Sequence, residues 1–88
     1  MPEISRFFGI IIKMYFNEHN PPHFHVEYQD YTAIINIEDG TVRGEMPRKQ
    51  LSLIFEWLDI NKLELLQNWE LSIARQPLVK INPLNKEI

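Results

Sequence analysis

Hydrophobic and polar positions change period once along this chain, near residue 47, and the change divides it into a sheet-forming half and a helical half. In the first half apolar residues recur at every second position in short runs. From Ile10 to Phe16 β-branched and aromatic side chains dominate and Lys13 is the only charge. Ile10, Ile12, Met14 and Phe16 are therefore expected on one buried face of a strand, with Ile11, Lys13 and Tyr15 on the other. His23 to Tyr28 alternates in the same way, with Phe24, Val26 and Tyr28 facing the core and His23, His25 and Glu27 facing away. Tyr31 to Ile37 gives a third strand, with Tyr31, Ala33, Ile35 and Ile37 on one face. Thr41 to Glu45 gives a fourth, weakened at its end by Gly44. Gln29-Asp30 and Glu38-Asp39-Gly40 supply the turns, the second because Asp-Gly tolerates the positive φ that hairpins require. Met1 to Phe8 reads as a lead-in packed on the sheet, with Gly9 as a breaker.

Beyond Pro47, which can open a helix at its first turn, Leu51, Ile54, Phe55 and Leu58 fall at i, i+3, i+4 and i+7 and form one helical stripe. Asn61 is expected to cap a new helix, with Glu64 as the reciprocal half of a capping box. Leu66, Trp69 and Ile73 mark the buried side of that helix, flanked by Leu63 and Leu65. Arg75 suits its C-terminal dipole and Pro77 stops it. Leu78 to Ile81 is a short strand or an extended tail. The expected fold is α+β: an antiparallel four-stranded meander sheet, then two helices packed on one face and a short C-terminal extended segment, with residues 1–88 as a single domain.

Composition narrows the function classes. Nine basic against 12 acidic side chains give a net charge of -3, which argues against a broad electrostatic footprint for duplex nucleic acid while leaving a local basic patch open. The absence of cysteine excludes disulfides, thiolate zinc sites and cysteine nucleophiles. The apolar runs fall well short of the roughly 20 residues that a membrane span needs, and the N-terminus lacks a basic region followed by an apolar signal segment. A cytoplasmic protein without a membrane partner is expected.

The candidate chemistry is concentrated in His19-Asn20-Pro21-Pro22-His23-Phe24-His25, which holds all three histidines of the chain. On a strand, His23 and His25 point the same way with Cα atoms roughly 6 to 7 Å apart, and His19 can join them from the loop. Three imidazoles are an adequate shell for zinc or another divalent metal, with Glu18 or Glu27 as a carboxylate ligand or base. The spacing fits neither the HExxH metalloprotease pattern nor a cupin, for which Glu27 comes too early and no later histidine exists. The metal-free alternative is acid–base chemistry on RNA. His19, His23 and His25 would then be catalytic, Arg6 and Lys13 would supply positive charge, and Tyr15 or Tyr28 would stack on a base. A third reading makes the histidines half-exposed strand residues with local partners, the prolines merely shaping a turn. The sequence assigns no metal and no cofactor. Trp57 and Trp69 read as core, Glu38-Asp39 as a solvated turn, and Arg43, Arg48 and Lys49 as an exposed face open to an acidic partner.

The runs Ile4-Ser5-Arg6-Phe7-Phe8-Gly9-Ile10 and Met14-Tyr15-Phe16-Asn17-Glu18-His19-Asn20-Pro21-Pro22-His23-Phe24-His25, together with Trp57, Asn68-Trp69 and Ile81-Asn82-Pro83-Leu84, resemble the bacterial domain of unknown function family 4160 over nearly the whole chain. Its histidine-bearing motif falls here on His19, His23 and His25. Members of that family are often encoded beside a second small protein, of the type called domain of unknown function 2442. The resemblance thus implies a toxin-like component of a toxin-antitoxin pair, with a small cognate antitoxin-type partner and an RNA or ribosomal target. The rivals are a non-catalytic module that binds and regulates a small partner, and a histidine-ligated metal enzyme. Nothing in the sequence sets the oligomeric state.

Overall fold

A computed structural model describes residues 3–85. Its sheet has five antiparallel strands in sequential order: β1 (Glu3–Phe7), β2 (Ile10–Lys13), β3 (His23–Tyr28), β4 (Tyr31–Asn36) and β5 (Val42–Gly44). One helix follows, α1 (Arg48–Ile73). The class is the expected α+β, but the described residues form five strands and one helix where four and two were expected.

The additional strand is β1. Phe8 and Gly9, at φ 49° and 79°, form a two-residue turn that places Phe7 opposite Ile10. Positive φ at both central positions matches the twist of a hairpin, so the glycine that reads as a breaker is half of a connection. Alternation in this segment is blurred because the register shifts between Glu3 and Ser5, leaving Ile4 and Ser5 consecutively buried.

The helices merge because Asn61 interrupts α1 without ending it. Its backbone leaves helical geometry (φ -113°, ψ 19°), yet its side chain turns back and donates to the Trp57 carbonyl at 3.0 Å rather than capping residues ahead of it. Downstream, the buried face is Asn61, Leu65, Asn68, Trp69 and Ser72, while Leu63 and Ile73 are exposed. Three polar residues on that face hide it from a purely hydrophobic count. At the far end Arg75 takes positive φ (56°), with Gln76 N–H bonded to Leu71 O and Arg75 N–H to Ser72 O. This is the paired closing geometry of a helix that ends in a left-handed residue.

The core lies between one sheet face and α1. Ile10, Ile12, Met14, Phe24, Val26 and Ile35 meet Ile54, Trp57 and Leu65 there. The Trp57 ring packs 5.4 Å from Phe7 and 5.8 Å from Phe24 between ring centres. Phe16, expected on that face, is exposed because β2 ends at Lys13. After the helix the chain runs extended as a strap rather than a ladder strand. Ile81 N–H donates to Ile4 O at 2.8 Å, and Ile81 and Leu84 close the core. α1 covers one face only, so Lys13, His25, Glu27, Ile34 and Arg43, on the other face, remain partly or fully exposed.

Candidate functional site

The β2–β3 loop, residues 14–22, delivers a carboxylate to the start of β3. Asn17, at φ 58°, donates its N–H to Ser72 O at 3.3 Å, which ties the loop to the last turn of α1. The loop includes a cis peptide between Asn20 and Pro21. At its end Pro22 O accepts from Ile37 N–H at 3.0 Å, extending the β3–β4 ladder by one bond and fixing where β3 begins.

Glu18 stands at the centre of the site. Its Oε1 lies 3.0 Å from His23 Nε2 and 2.8 Å from His25 Nε2. The other ring nitrogen of His23, Nδ1, is 2.8 Å from Pro21 O. His23 packs against Trp69 with ring centres 5.0 Å apart, and Tyr15 meets His25 edge-on at 4.5 Å. His23 is 7% exposed, whereas His25 and Glu18 are half-buried. Alternation assigns both histidines to the open face. Both rings do converge on Glu18, but only His25 stays partly open: the loop and the end of α1 close around the first residue of β3 and bury His23.

Burial raises the Glu18 pKa, but the hydrogen bond and charge of His25, and then those of His23, outweigh it and hold the carboxyl below its ordinary value. Both ring nitrogens of His23 face oxygen acceptors. A neutral imidazole has one N–H, so only one of these contacts is an ordinary hydrogen bond unless the ring is protonated or a metal cation sits at the other.

The remaining candidates scatter. His19 is exposed and makes no hydrogen bond among the described residues. Lys13 is the ladder partner of His25, but its ammonium is bonded to Glu27 at 2.9 Å, which raises its pKa. Arg6 is held by Glu3 at 2.8 Å on β1. Tyr28 is at the opposite end of β3 from His23, roughly 16 Å along the strand. Tyr15 is in contact with the centre. Arg43, read from sequence as surface charge, lines a groove of about 470 Å³ with Tyr15, His25, Thr32 and Ile34. A larger hollow, about 680 Å³, lies far from this chemistry between α1 and the C-terminal strap. Sequence reasoning offered Glu18 only as an equal of Glu27. The Pro21 carbonyl and Trp69 were not read as site groups, and only the position of Pro21 within the histidine run hinted at either.

Fold and site together define a small α+β domain whose meander sheet carries a carboxylate–dihistidine centre at the edge of its open face. The chain belongs to the family described as Domain of unknown function (DUF4160), whose model matches residues 9–70 and so spans the centre. No curated protein and no solved structure matched the chain. No helix among the described residues is long and apolar enough to cross a membrane.

Proposed function

We propose that this protein is the growth-inhibiting member of a toxin-antitoxin pair, acting on RNA or the translation machinery through Glu18, His23 and His25. The observation that carries the reading is the sharing of one Glu18 oxygen by two imidazoles, at 3.0 and 2.8 Å, beside an open groove. His25 is the ring that reaches the groove, Glu18 orients it, and buried His23 positions Glu18. Chemistry on a phosphodiester needs a group that carries protons near neutrality and a cation for the phosphate. His25 and Arg43 suit those needs, and Tyr15 can stack on a base.

The test is growth after induced expression of the wild type and of a His23→Ala, His25→Ala double variant, with folding of both checked by circular dichroism. Arrest by the wild type alone is the expected result; arrest by both, or by neither, overturns it. A non-catalytic module that pairs with a small protein partner is the second reading. It is favoured by the pairing of Lys13 with Glu27 and of Arg6 with Glu3, which removes two cations from any phosphate site. On that reading, replacing all three histidines by alanine leaves partner affinity unchanged.

A further inference from the structure

We infer that Glu18, His23 and His25 bind one divalent transition-metal ion of the zinc class. The inference deepens the reading above and rests on the same centre, but it does not depend on growth inhibition. One ligand atom from each of Glu18, His23 and His25 lies within 4.8 Å of the others. The Glu18 Oε1 is 3.0 and 2.8 Å from the two Nε2 atoms. Metal bonds of about 2.0 to 2.2 Å place neighbouring ligand atoms roughly 3 Å apart, so the two carboxylate–imidazole separations are close to those of a shared ion and the two imidazoles need only draw together slightly.

The hydrogen-bond accounting at His23 points the same way. Its Nδ1 is 2.8 Å from Pro21 O and its Nε2 is 3.0 Å from Glu18 Oε1, and both oxygens accept, so the single proton of a neutral ring can serve only one of them. With that proton on Nδ1, Nε2 presents a lone pair to a carboxylate oxygen at 3.0 Å, an arrangement that is repulsive until a second proton or a metal cation lies between them. A ligating histidine commonly donates its outer N–H to a backbone carbonyl in this way, which fixes both tautomer and ring direction. Trp69 packs on His23 and keeps water from that side. Two imidazoles and one carboxylate are the donors that zinc and its first-row neighbours accept, and three protein ligands leave a coordination position open. His25 also lines the groove that holds Tyr15 and Arg43, so that position is within reach of an oxygen ligand entering there.

The experiment uses the full chain without a histidine tag, stripped with chelator and titrated with Co²⁺ under visible absorption, then with Zn²⁺ in competition. One equivalent of Co²⁺ in a protein-ligated spectrum, displaced by Zn²⁺, is expected. Glu18→Gln and His25→Ala, both at partly exposed positions, should weaken binding by more than the roughly 10- to 100-fold that loss of an outer partner costs. Because His23 is buried, its contribution is read on the wild type: side-chain nitrogen resonances of His23 and His25 should shift with one equivalent of Zn²⁺. A folded wild type that binds no equivalent, affinity unchanged in both variants, or shifts confined to His19, overturns the assignment. A folded wild type that arrests growth but takes up no equivalent of Co²⁺ or Zn²⁺ would defeat the metal site and leave the toxin reading standing; metal binding without arrest would do the reverse.

Discussion

Glu18 gains its role from neighbours that are five and seven residues away along the chain and 3.0 and 2.8 Å away in space. The histidine run was legible in the sequence because its composition is unusual. The partition within it was not, since a loop can place His19, Glu18 or neither over the strand. A second residue shows how a local bond sets a charge. Thr41 N–H donates to Asp39 Oδ1 at 2.9 Å, and this backbone bond is the main reason the Asp39 carboxyl lies below its ordinary value of 3.8. A carboxyl whose folded pKa is lowered stabilises the fold above its unfolded pKa, and loses that contribution as pH falls through the folded value. Asp39→Asn should therefore be less stable than the wild type at about pH 7, with the difference shrinking by about pH 3. Urea midpoints at the two pH values check this, and a difference that grows toward acid would contradict it.

At the scale of elements, the strands that alternate cleanly were legible and those that depend on a turn or a bulge were not. β3 and β4 fall almost where the pattern puts them. β1 was hidden by its register shift and by a turn of Phe8 and Gly9 in place of a familiar hairpin pair. The break at Asn61 was correctly located, but its meaning turned on which carbonyl its side chain would find. Gly44 tests the sheet's far edge. It has φ 105°, and a Cβ there would lie 2.6 Å from Thr32 O and 2.9 Å from Ala33 Cα. Both contacts are backbone, so they cannot be relieved by rotating a side chain. Gly44→Ala should cost about 2 to 4 kcal/mol, in the range of strained backbone combined with a clash. Chemical denaturation measures it, and a variant as stable as the wild type would show that β5 does not pair with β4 in this register.

Across the whole molecule, the C-terminal strap is what the sequence least disclosed, because it is held by side chains from α1 rather than by a repeating ladder. Asn68 donates to Val79 O at 2.8 Å and accepts from Val79 N–H at 2.9 Å, while Trp57 Nε1–H donates to Asn82 O at 2.8 Å. Asparagine in the middle of a helix reads as a surface residue; here it is 1% exposed because it matches both backbone groups of one extended residue. Asn68→Ala removes both bonds, at a cost of about 1 to 3 kcal/mol. Amide exchange at Val79 should rise with it. Protection that persists there would mean that the strap is held chiefly by Ile81 and Leu84.

The two tryptophans of the chain occupy different worlds. Trp57 is enclosed by Phe7 and Phe24, whereas Trp69 rests against His23. Indole emission responds to whatever lies against the ring, so the molecule carries two optical witnesses without any added label. One reports on the integrity of the core, and the other on what happens at the histidines.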